Sequence, residues 1–300
     1  MTAEQDRWHR WLLDVRHGGD RDYRDRLRSA LNRVRDEVLD RAALRPGDTL
    51  LDVGTGDGLI AFGALERLGP DGRVIFSDIS RDLLDHCRQV AAGAGLLSRC
   101  DFVLAPADDL TALPDACVDV ITTRSVLIYV ADKAAAFAEF RRLLRPGGRI
   151  SLFEPINALM QECGSRLFFG YDVSPVAEIA AKLDAQFAAI QPPGRDPMLD
   201  FDDRDLVRLA ERAGFAEVRL ELRVTVGARR APAPWDRFLR QSGNPNLPPL
   251  GEMLQEALGP AELAAFTAQL RPLVEAGMGE RRTAVAYLTA TDAAEDPDVD

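Results

Sequence analysis

The feature that most constrains the fold is the stretch from Thr49 to Ile60, TLLDVGTGDGLI. An apolar run ends in an acid, three glycines alternate with polar residues, and an alanine-rich segment compatible with a helix follows. This order predicts a strand, a tight turn and a helix. Glycines adopt backbone angles barred to other residues and let a ligand lie against the main chain. The turn therefore predicts a nucleotide-like ligand.

The spacing of the glycines narrows the kind of ligand. A dinucleotide pattern, G-x-G-x-x-G, would need a glycine at position 59, where the chain has Leu59. Asp52 ends the strand just before the turn, and a carboxylate there can hold a cationic amino group. The pattern thus favours a ligand that carries an ammonium over one that carries a pyrophosphate.

A second acid follows at the spacing expected for a ribose contact. The apolar run Arg73-Val-Ile-Phe76 ends in Ser77-Asp78, about twenty residues after the glycine turn. Such spacing puts the carboxylate of Asp78 at the tip of the neighbouring strand, where it can accept both ribose hydroxyls.

Two later segments complete a recognisable order. The loop from Ala105 to Pro114 carries Asp108 and Asp109 ahead of a Leu-Pro pair, and Leu-Arg-Pro-Gly-Gly148 precedes the strand from Arg149 to Pro155. With the glycine turn and Asp78, these segments resemble the class I S-adenosylmethionine-dependent methyltransferases. The resemblance implies S-adenosylmethionine as the cofactor and S-adenosylhomocysteine as its product.

The resemblance also implies an α/β fold. We expect a Rossmann-like sheet of seven mostly parallel strands with an antiparallel last strand and helices on both faces. Residues 1–45 would form an N-terminal helical extension, and residues 46–290 the methyltransferase domain. Helical insertions at about 155–200 and 228–281 would form a cap over the cleft, and residues 291–300 an acidic, disordered tail.

Carried over residue by residue, the family pattern implies a set of cofactor contacts. Asp52 and the glycine turn would line the amino-acid end, Asp78 would take the ribose, and Arg124 would meet the carboxylate. Asp108 is favoured for the adenine edge, and Asp109 is the second candidate, because counting forward from the strand and counting back from Leu113-Pro114 give different positions for the acid. The full predicted set is Arg16, Asp52, Gly54, Thr55, Gly56, Gly58, Asp78, Ile79, Ala107, Asp108, Asp109 and Arg124.

Methyl transfer by in-line displacement depends mainly on proximity, which accounts for roughly 7–11 kcal/mol of barrier reduction in well-oriented reactions. A general base is needed only where the acceptor arrives protonated. The candidates are Glu154, at the end of the fifth strand, and His17, if the N-terminal extension folds over the cleft. Tyr129 and Tyr171 are weaker candidates.

The predicted function is methyl transfer to oxygen, nitrogen or carbon of a small molecule in specialised metabolism. Three alternatives stay open: a non-methylating reaction on the same fold, methylation of a peptide or protein, and a cofactor-binding subunit without turnover. The net charge of −11 argues against nucleic acid as partner, since binding a polyanion needs a basic field.

Composition and motifs bound the remaining properties. The four cysteines form no C-x-x-C pair and no metal-ligand spacing with the three histidines, which predicts no metal and a reducing compartment. No apolar run reaches membrane-spanning length and the first residues do not resemble a signal peptide, so we expect a cytoplasmic protein without a membrane partner. The N-terminal tryptophans and the helices near 250–275 could cover the cleft or form a homodimer interface.

Overall fold

The computed structural model describes residues 6–16, 21–161, 166–192, 194–229 and 231–292. Its main sheet has seven strands in the order β3-β2-β1-β4-β5-β9-β8. The strands of this sheet are β1 (Thr49–Val53), β2 (Arg73–Asp78), β3 (Cys100–Leu104), β4 (Val118–Arg124), β5 (Leu144–Pro155), β8 (Glu217–Arg229) and β9 (Gly279–Thr291). Strands β1 to β5 pair in parallel, and β9 lies antiparallel between β5 and β8. The predicted mixed sheet is confirmed.

Helices cover both faces of the sheet and the ends of its strands. They are α1 (Arg7–His9), which continues as a π-helical segment Arg10–Val15, α2 (Arg21–Arg41), α3 (Leu59–Arg67), α4 (Arg81–Gly93), α5 (Lys133–Leu143), α6 (Ala158–Gln161), α7 (Ala177–Ile190), α8 (Asp203–Arg212), α9 (Trp235–Arg240), α10 (Leu250–Ala257) and α11 (Pro260–Ala276). Short 3-10 turns lie at Leu97–Arg99, Leu127–Tyr129 and Ser174–Val176. The strands β6 (Leu167–Phe168) and β7 (Tyr171–Asp172) pair with each other in a separate hairpin.

Local chemistry explains where the helices that flank the site begin. The Ser80 hydroxyl accepts from the Leu83 amide at the start of α4, and the Asp132 carboxylate accepts from the Ala135 amide at the start of α5. Each cap satisfies an amide that the first helical turn leaves without a partner. Both helices therefore start directly after a strand or loop that reaches the carboxyl edge of the sheet.

Glycine 54 shows why the turn after β1 needs this residue type. Its φ is +63°, and a Cβ added there would lie 2.4 Å from Cγ2 of Val126. A side chain would therefore meet both an unfavourable backbone angle and a neighbouring chain segment.

The two predicted insertions pack against each other. Buried side chains of both form one cluster, separate from the clusters on the two faces of the sheet; it contains Phe168, Tyr171, Leu183, Trp235, Phe238, Leu254, Phe266 and Leu270. We call the described parts of residues 158–200 and 231–277 the cap. A common apolar core makes the cap one body rather than two separate loops.

The predicted N-terminal extension divides into two parts. Val38, Leu39 and Ala42 are buried against one face of the sheet, so the end of α2 and the turn after it belong to the core layer. Residues 6–16, which we call the N-terminal lid, lie instead across the carboxyl edge of the strands. At their far ends, strands β8 and β9 continue as a two-stranded ladder. In it Val224 pairs with Ala284 and Arg229 pairs with Gly279.

Several predictions fall outside the described residues: His17, Cys163 and the acidic tail after Asp292. Within the part of the chain that the structure describes, none of the helices combines the length and the apolar character that crossing a bilayer requires.

Candidate active site

A cavity of about 500 Å³ opens at the carboxyl ends of the parallel strands. It follows the order of the strands, from the loop after β3, past β2, β1 and β4, to the end of β5. Residues from these five strand ends share its walls with the N-terminal lid and the cap. Ligands of open α/β sheets bind at this edge, where the strand order reverses. The cavity is therefore the candidate active site.

Acidic and apolar groups mark the end of the cavity near β2 and β3. Asp78 lies there, and its Oδ2 accepts from the Gly56 amide at 2.9 Å while its Oδ1 accepts from the Ser80 amide at 2.9 Å. Each oxygen keeps a further lone pair, so the carboxylate can still accept hydroxyls from a ligand. Burial raises the pKa of Asp78.

The wall beside Asp78 is suited to a flat base. Ile79 lines the cavity and leaves 49% of its side chain exposed, although it is apolar. Ala107 and Asp108 line the same end from the loop after β3. The apolar surface can pack against the face of a base, and the neighbouring carboxylate can accept a hydrogen bond from the amino group of that base.

Main chain forms the centre of the floor. Gly54 and Gly56 both line the cavity, and a Cβ at Gly56 would lie 3.1 Å from the Leu12 side chain of the lid. The space between turn and lid therefore exists only because position 56 lacks a side chain, and a ligand can lie directly against this backbone.

Two arginines mark the part of the cavity near β4. Arg124 ends that strand, and Arg16 reaches the cavity from the lid, where its guanidinium lies 4.9 Å from the centre of the Trp11 ring. Burial, reinforced by the positive charge of Arg124, lowers the pKa of Arg16 to about 10. The Arg16 guanidinium therefore stays charged near neutral pH.

Aromatic side chains of the lid close the cavity from above. Trp8 and Trp11 line it and meet the ring of Tyr129 edge to face, at centroid distances of 5.0 and 6.4 Å. The Trp11 Nε1 donates to the carbonyl of Ser242 at 3.2 Å. This bond fastens the lid to the cap.

The other end of the lid is fastened to the floor. The Ser80 hydroxyl donates to the Asp6 carboxylate at 2.6 Å, and the Asp6 amide donates to the Asp82 carboxylate at 2.8 Å. Ser80 also donates its amide to Asp78, so the lid and the predicted ribose contact share one small network.

The segment directly after β5 and the cap contribute the wall beyond β4 and β5. Asn157, Met198 and Gly243 line the cavity there. Sequence reasoning missed these three residues because no local motif marks them, whereas it named the N-terminal tryptophans as a cover for the cleft or a subunit interface. Ser125 was missed as well; its φ of +58° is uncommon for a residue with a side chain and could be noticed only in the structure.

Buried Lys133 holds the loop that carries Met198. Its Nζ donates to the carbonyl of Val130 at 3.0 Å, to the carbonyl of Pro197 at 3.1 Å and to Asp200 at 2.6 Å. One side chain of α5 therefore fixes the position of a cap segment relative to the sheet.

Four predicted contact residues do not line the cavity. Asp52 is buried, with its two oxygens accepting from the Thr55 and Thr122 hydroxyls at 2.8 Å each. Burial raises the pKa of Asp52 to about 6. Asp52 and Thr55 thus support the turn from beneath. A Cβ at Gly58 would meet Phe62 and not the cavity, and Asp109 is exposed and accepts from Thr111.

Glu154 also does not line the cavity, which contradicts its predicted role as a base. It is fully buried, and its carboxylate accepts from the Thr123 hydroxyl and from the amides of Val126, Leu127 and Ile128. Burial raises its pKa to about 7. Its place is beneath the 3-10 turn that carries Tyr129, so it positions this turn and has no path to a substrate proton.

Of the other predicted bases, Tyr129 does line the cavity. Burial raises its pKa to about 12, so its hydroxyl keeps its proton at neutral pH and can donate a hydrogen bond. Tyr171 is buried in the core of the cap, away from the cavity.

The side chains around the cavity fit S-adenosylmethionine. A carboxylate and an apolar slot stand at one end, a glycine backbone in the middle, and two guanidiniums at the other end. The order of these groups along the cavity is complementary to a base, a ribose and an amino-acid carboxylate, in that order.

Comparison with known proteins indicates the family independently of the site geometry. Residues 44–183 match a family model described as a methyltransferase domain. The nocamycin O-methyltransferase of Saccharothrix syringae is 34% identical over 265 residues, which cover 84% of this chain and 88% of that protein. The ubiquinone/menaquinone biosynthesis C-methyltransferase of Teredinibacter turnerae is 31% identical over 187 residues, covering 61% and 72% of the two chains.

Solved structures share the fold at low identity. BH2331, a candidate methyltransferase of Bacillus halodurans, superposes with a TM-score of 0.53 at 19% identity, over 86% of this chain and 98% of that chain. The phosphoethanolamine N-methyltransferase 2 of Haemonchus contortus, in complex with S-adenosyl-L-methionine, gives a TM-score of 0.50 at 14% identity, over 87% and 52%.

Proposed function

Because the chain belongs to the class I S-adenosylmethionine-dependent methyltransferases, we propose that it transfers the methyl group of S-adenosylmethionine to a small organic molecule of specialised metabolism. The observation that carries the acceptor class is that the N-terminal lid and the cap both contribute walls to the cavity and are joined to each other.

Six groups would hold the cofactor in this proposal. Asp78 accepts the ribose hydroxyls, Ile79 and Asp108 contact the base, and the backbone of Gly54 and Gly56 lies along the amino-acid part. Arg124 pairs with the carboxylate. The burial of Asp78 and its two backbone donors support this arrangement, since they fix the carboxylate before a ligand arrives.

The cofactor supplies a methyl group already activated for displacement, so the protein needs to bind, orient and exclude water. Trp8, Trp11 and Leu12 line the cavity from the lid, and Leu12 lies over Gly56 of the glycine turn. Tyr129 offers a hydroxyl proton to the acceptor, and Glu154 holds the turn on which Tyr129 stands. Positioning of this kind lowers barriers by roughly 7–11 kcal/mol.

Closure of the cavity favours a small acceptor over a polymer. The lid joins the floor through Asp6 and the cap through Trp11, so three distant segments surround the space next to Tyr129. A peptide side chain would have to enter with its backbone outside this enclosure. The name of the nocamycin relative also supports an organic metabolite as acceptor.

Formation of S-adenosylhomocysteine in step with a methylated product tests the proposal. Wild type and Arg124→Gln would be incubated with S-adenosylmethionine and either a panel of organic acids, phenols and amines or a panel of basic peptides. We expect turnover with a small molecule, reduced in the variant because the carboxylate loses its partner. Turnover with peptides alone would overturn the small-molecule acceptor, and product without S-adenosylhomocysteine would indicate a non-methylating reaction.

A cytoplasmic location and a homodimer stay predictions. Fractionation of the native host and light scattering of the purified protein would test them.

A further inference from the structure

We propose that the acceptor is an organic acid that enters the site as an anion, and that Arg16 and the Tyr129 hydroxyl hold its negative charge. The inference rests on the proposed methyl transfer and names the acceptor class for the same cavity.

The first step is the charge along the cavity. The described side chains that line it include two carboxylates, Asp78 and Asp108, and two guanidiniums, Arg16 and Arg124. Their charges cancel. S-adenosylmethionine brings one carboxylate, one ammonium and one sulfonium, which adds one net positive charge to the cavity. A monoanionic acceptor neutralises it, and burial of an uncompensated charge is costly.

The second step is the surplus of guanidinium groups near β4. Neither Arg16 nor Arg124 forms an ion pair with any carboxylate of the described residues, unlike Arg142 and Arg149, which pair with Glu139 and Asp48. The cofactor supplies one carboxylate for two guanidiniums. Asp57 contributes only a longer-range attraction to Arg16. One positive group therefore stays available for a second anion.

The position of Arg16 assigns it to the acceptor. Arg124 ends strand β4, next to the floor, whereas Arg16 lies on the lid and stacks on Trp11, whose ring also meets Tyr129. The guanidinium and the phenol hydroxyl thus approach the same space from the lid and from the 3-10 turn. Both are donors at neutral pH.

The third step is the lack of a proton acceptor among the described residues; His17, a predicted base, lies outside them. Among the described residues that line the cavity beyond β4, the polar side chains are Ser125, Tyr129 and Asn157, and none of them takes up a proton near neutral pH. Glu154 is sealed beneath the floor. A neutral alcohol would need a base at this place. A carboxylate, or an enol or phenol acidic enough to ionise in water, needs none.

The reaction balances without a base. A lone pair of the acceptor oxygen forms the new bond to the methyl carbon, the carbon–sulfur bond breaks, and its electron pair stays on sulfur. The negative charge of the acceptor and the positive charge of the sulfonium disappear together, and no proton is released. Arg16 and Tyr129 hold the anion before transfer and lose their partner afterwards, which favours release of the neutral product.

The side chains around this space indicate the shape and polarity of the rest of the acceptor. Val126, Ile128, Val130, Pro155 and Met198 line the cavity beside the tryptophans. An acid with an apolar, flat body would contact these side chains while its charged oxygens meet the donors.

Calorimetric titration can test the assignment without knowing the natural acceptor. The probes are 2-naphthoate and its uncharged isostere 2-naphthamide, each titrated into the complex of the protein with S-adenosylhomocysteine. We expect the acid to bind at least about tenfold more tightly than the amide, because hydrogen bonds to charged groups are the stronger class. Arg16→Gln should abolish this preference and leave the affinity for S-adenosylhomocysteine within about threefold of wild type.

A matched variant on the same segment is Arg10→Gln, because Arg10 is exposed and does not line the cavity. It should retain the preference for the acid. Tyr129→Phe gives a second probe that leaves the lid arginine in place, and it should reduce the preference about fivefold.

Three results would overturn the proposal: equal binding of acid and amide, no binding of the acid, or a preference for the acid that survives Arg16→Gln while affinity for S-adenosylhomocysteine falls. The last result would assign both arginines to the cofactor. Failure of the methyl-transfer proposal itself would differ, because S-adenosylhomocysteine would then not bind the wild type.

Discussion

The floor and the covering of the cavity are built in different ways. The floor consists of strand ends and the glycine turn, each a short contiguous segment whose backbone is fixed by the sheet. The covering consists of the N-terminal lid and the cap, joined by single hydrogen bonds such as that from Trp11 to Ser242. The floor is thus determined locally and the covering by contacts between distant segments. We expect changes to the floor to affect folding and cofactor binding, and changes to the covering to affect the acceptor.

The largest effect should follow Gly54→Ala in the floor. The new Cβ would lie 2.4 Å from Val126 at a φ of +63°, so we expect the free energy of unfolding to fall by about 4 kcal/mol. Binding of S-adenosylhomocysteine should be lost. Gly95→Ala is the matched control, since its φ is +71° and no atom lies within 4 Å of the added carbon. Denaturant unfolding should show a loss of only about 1 kcal/mol there, and equal losses would contradict the account.

Glu154, which lies beneath the floor, should make the free energy of unfolding depend on pH. Its pKa is about 7 in the folded protein against an ordinary 4.5, so the folded state binds its proton more tightly than the unfolded state. The corresponding stability is complete below pH 4.5 and is lost as the pH rises to about 7, a change of about 3 kcal/mol. Subtracting the unfolding curves of Glu154→Gln from those of wild type should isolate this slope from that of Asp52.

The same variant separates positioning from base catalysis. Because Glu154 has no path to the cavity, Glu154→Gln should keep kcat within about tenfold of wild type. A loss of about a thousandfold, with pH dependence removed from kcat, would restore Glu154 as the general base. His17→Ala should be measured beside it, since His17 stays a predicted base outside the described residues.

Lys133→Met addresses the joint between the sheet and the cap. The change leaves two carbonyls and Asp200 without their donor, and we expect a loss of about 2 kcal/mol in stability. Affinity for S-adenosylhomocysteine should be unaffected while the KM for the acceptor rises. Lys182, the only other lysine, pairs with Glu262 on the surface, so Lys182→Met should change stability by less than about 0.5 kcal/mol. A parallel loss of cofactor affinity in Lys133→Met would show that floor and cap are not separable.

The smallest effect should come from the lid. Trp11→Phe keeps an aromatic ring but removes the donor to Ser242, which we expect to weaken the closed arrangement by about 1 kcal/mol. Hydrogen exchange of the amides in residues 6–16 should become about fivefold faster, with the sheet unaffected. Unchanged exchange would mean that this bond does not hold the lid.

The contrast between the two regions also explains which parts of the site could be predicted from the sequence. Gly54, Gly56, Asp78, Ile79, Asp108 and Arg124 were predicted to face one site, and the structure brings them together because each stands at a strand end. Strand ends are inferred from local pattern and then share an edge by topology.

The errors have a common physical origin. Asp52 and Glu154 end strands as predicted, yet their side chains turn beneath the floor toward threonine hydroxyls and amides. Whether the side chain of such an acid faces the cavity or the protein interior depends on its neighbours in space. Met198 and Gly243 reach the cavity only through the packing of the cap, which leaves no periodic or spaced signal in the sequence. Arg16 was predicted as a cofactor contact, but its position close to Trp11 and Tyr129 was not predicted.

The measurement that tests the central claim most directly is calorimetric titration of wild type, Asp78→Ala and Asp109→Ala with S-adenosylhomocysteine. The account predicts micromolar binding by wild type, retained in Asp109→Ala because that side chain is exposed and does not line the cavity. Asp78→Ala should bind at least about a hundredfold more weakly, since two hydrogen bonds from the ribose to a charged group are lost. Absence of binding by the folded wild type, or equal affinity in all three proteins, would contradict the account.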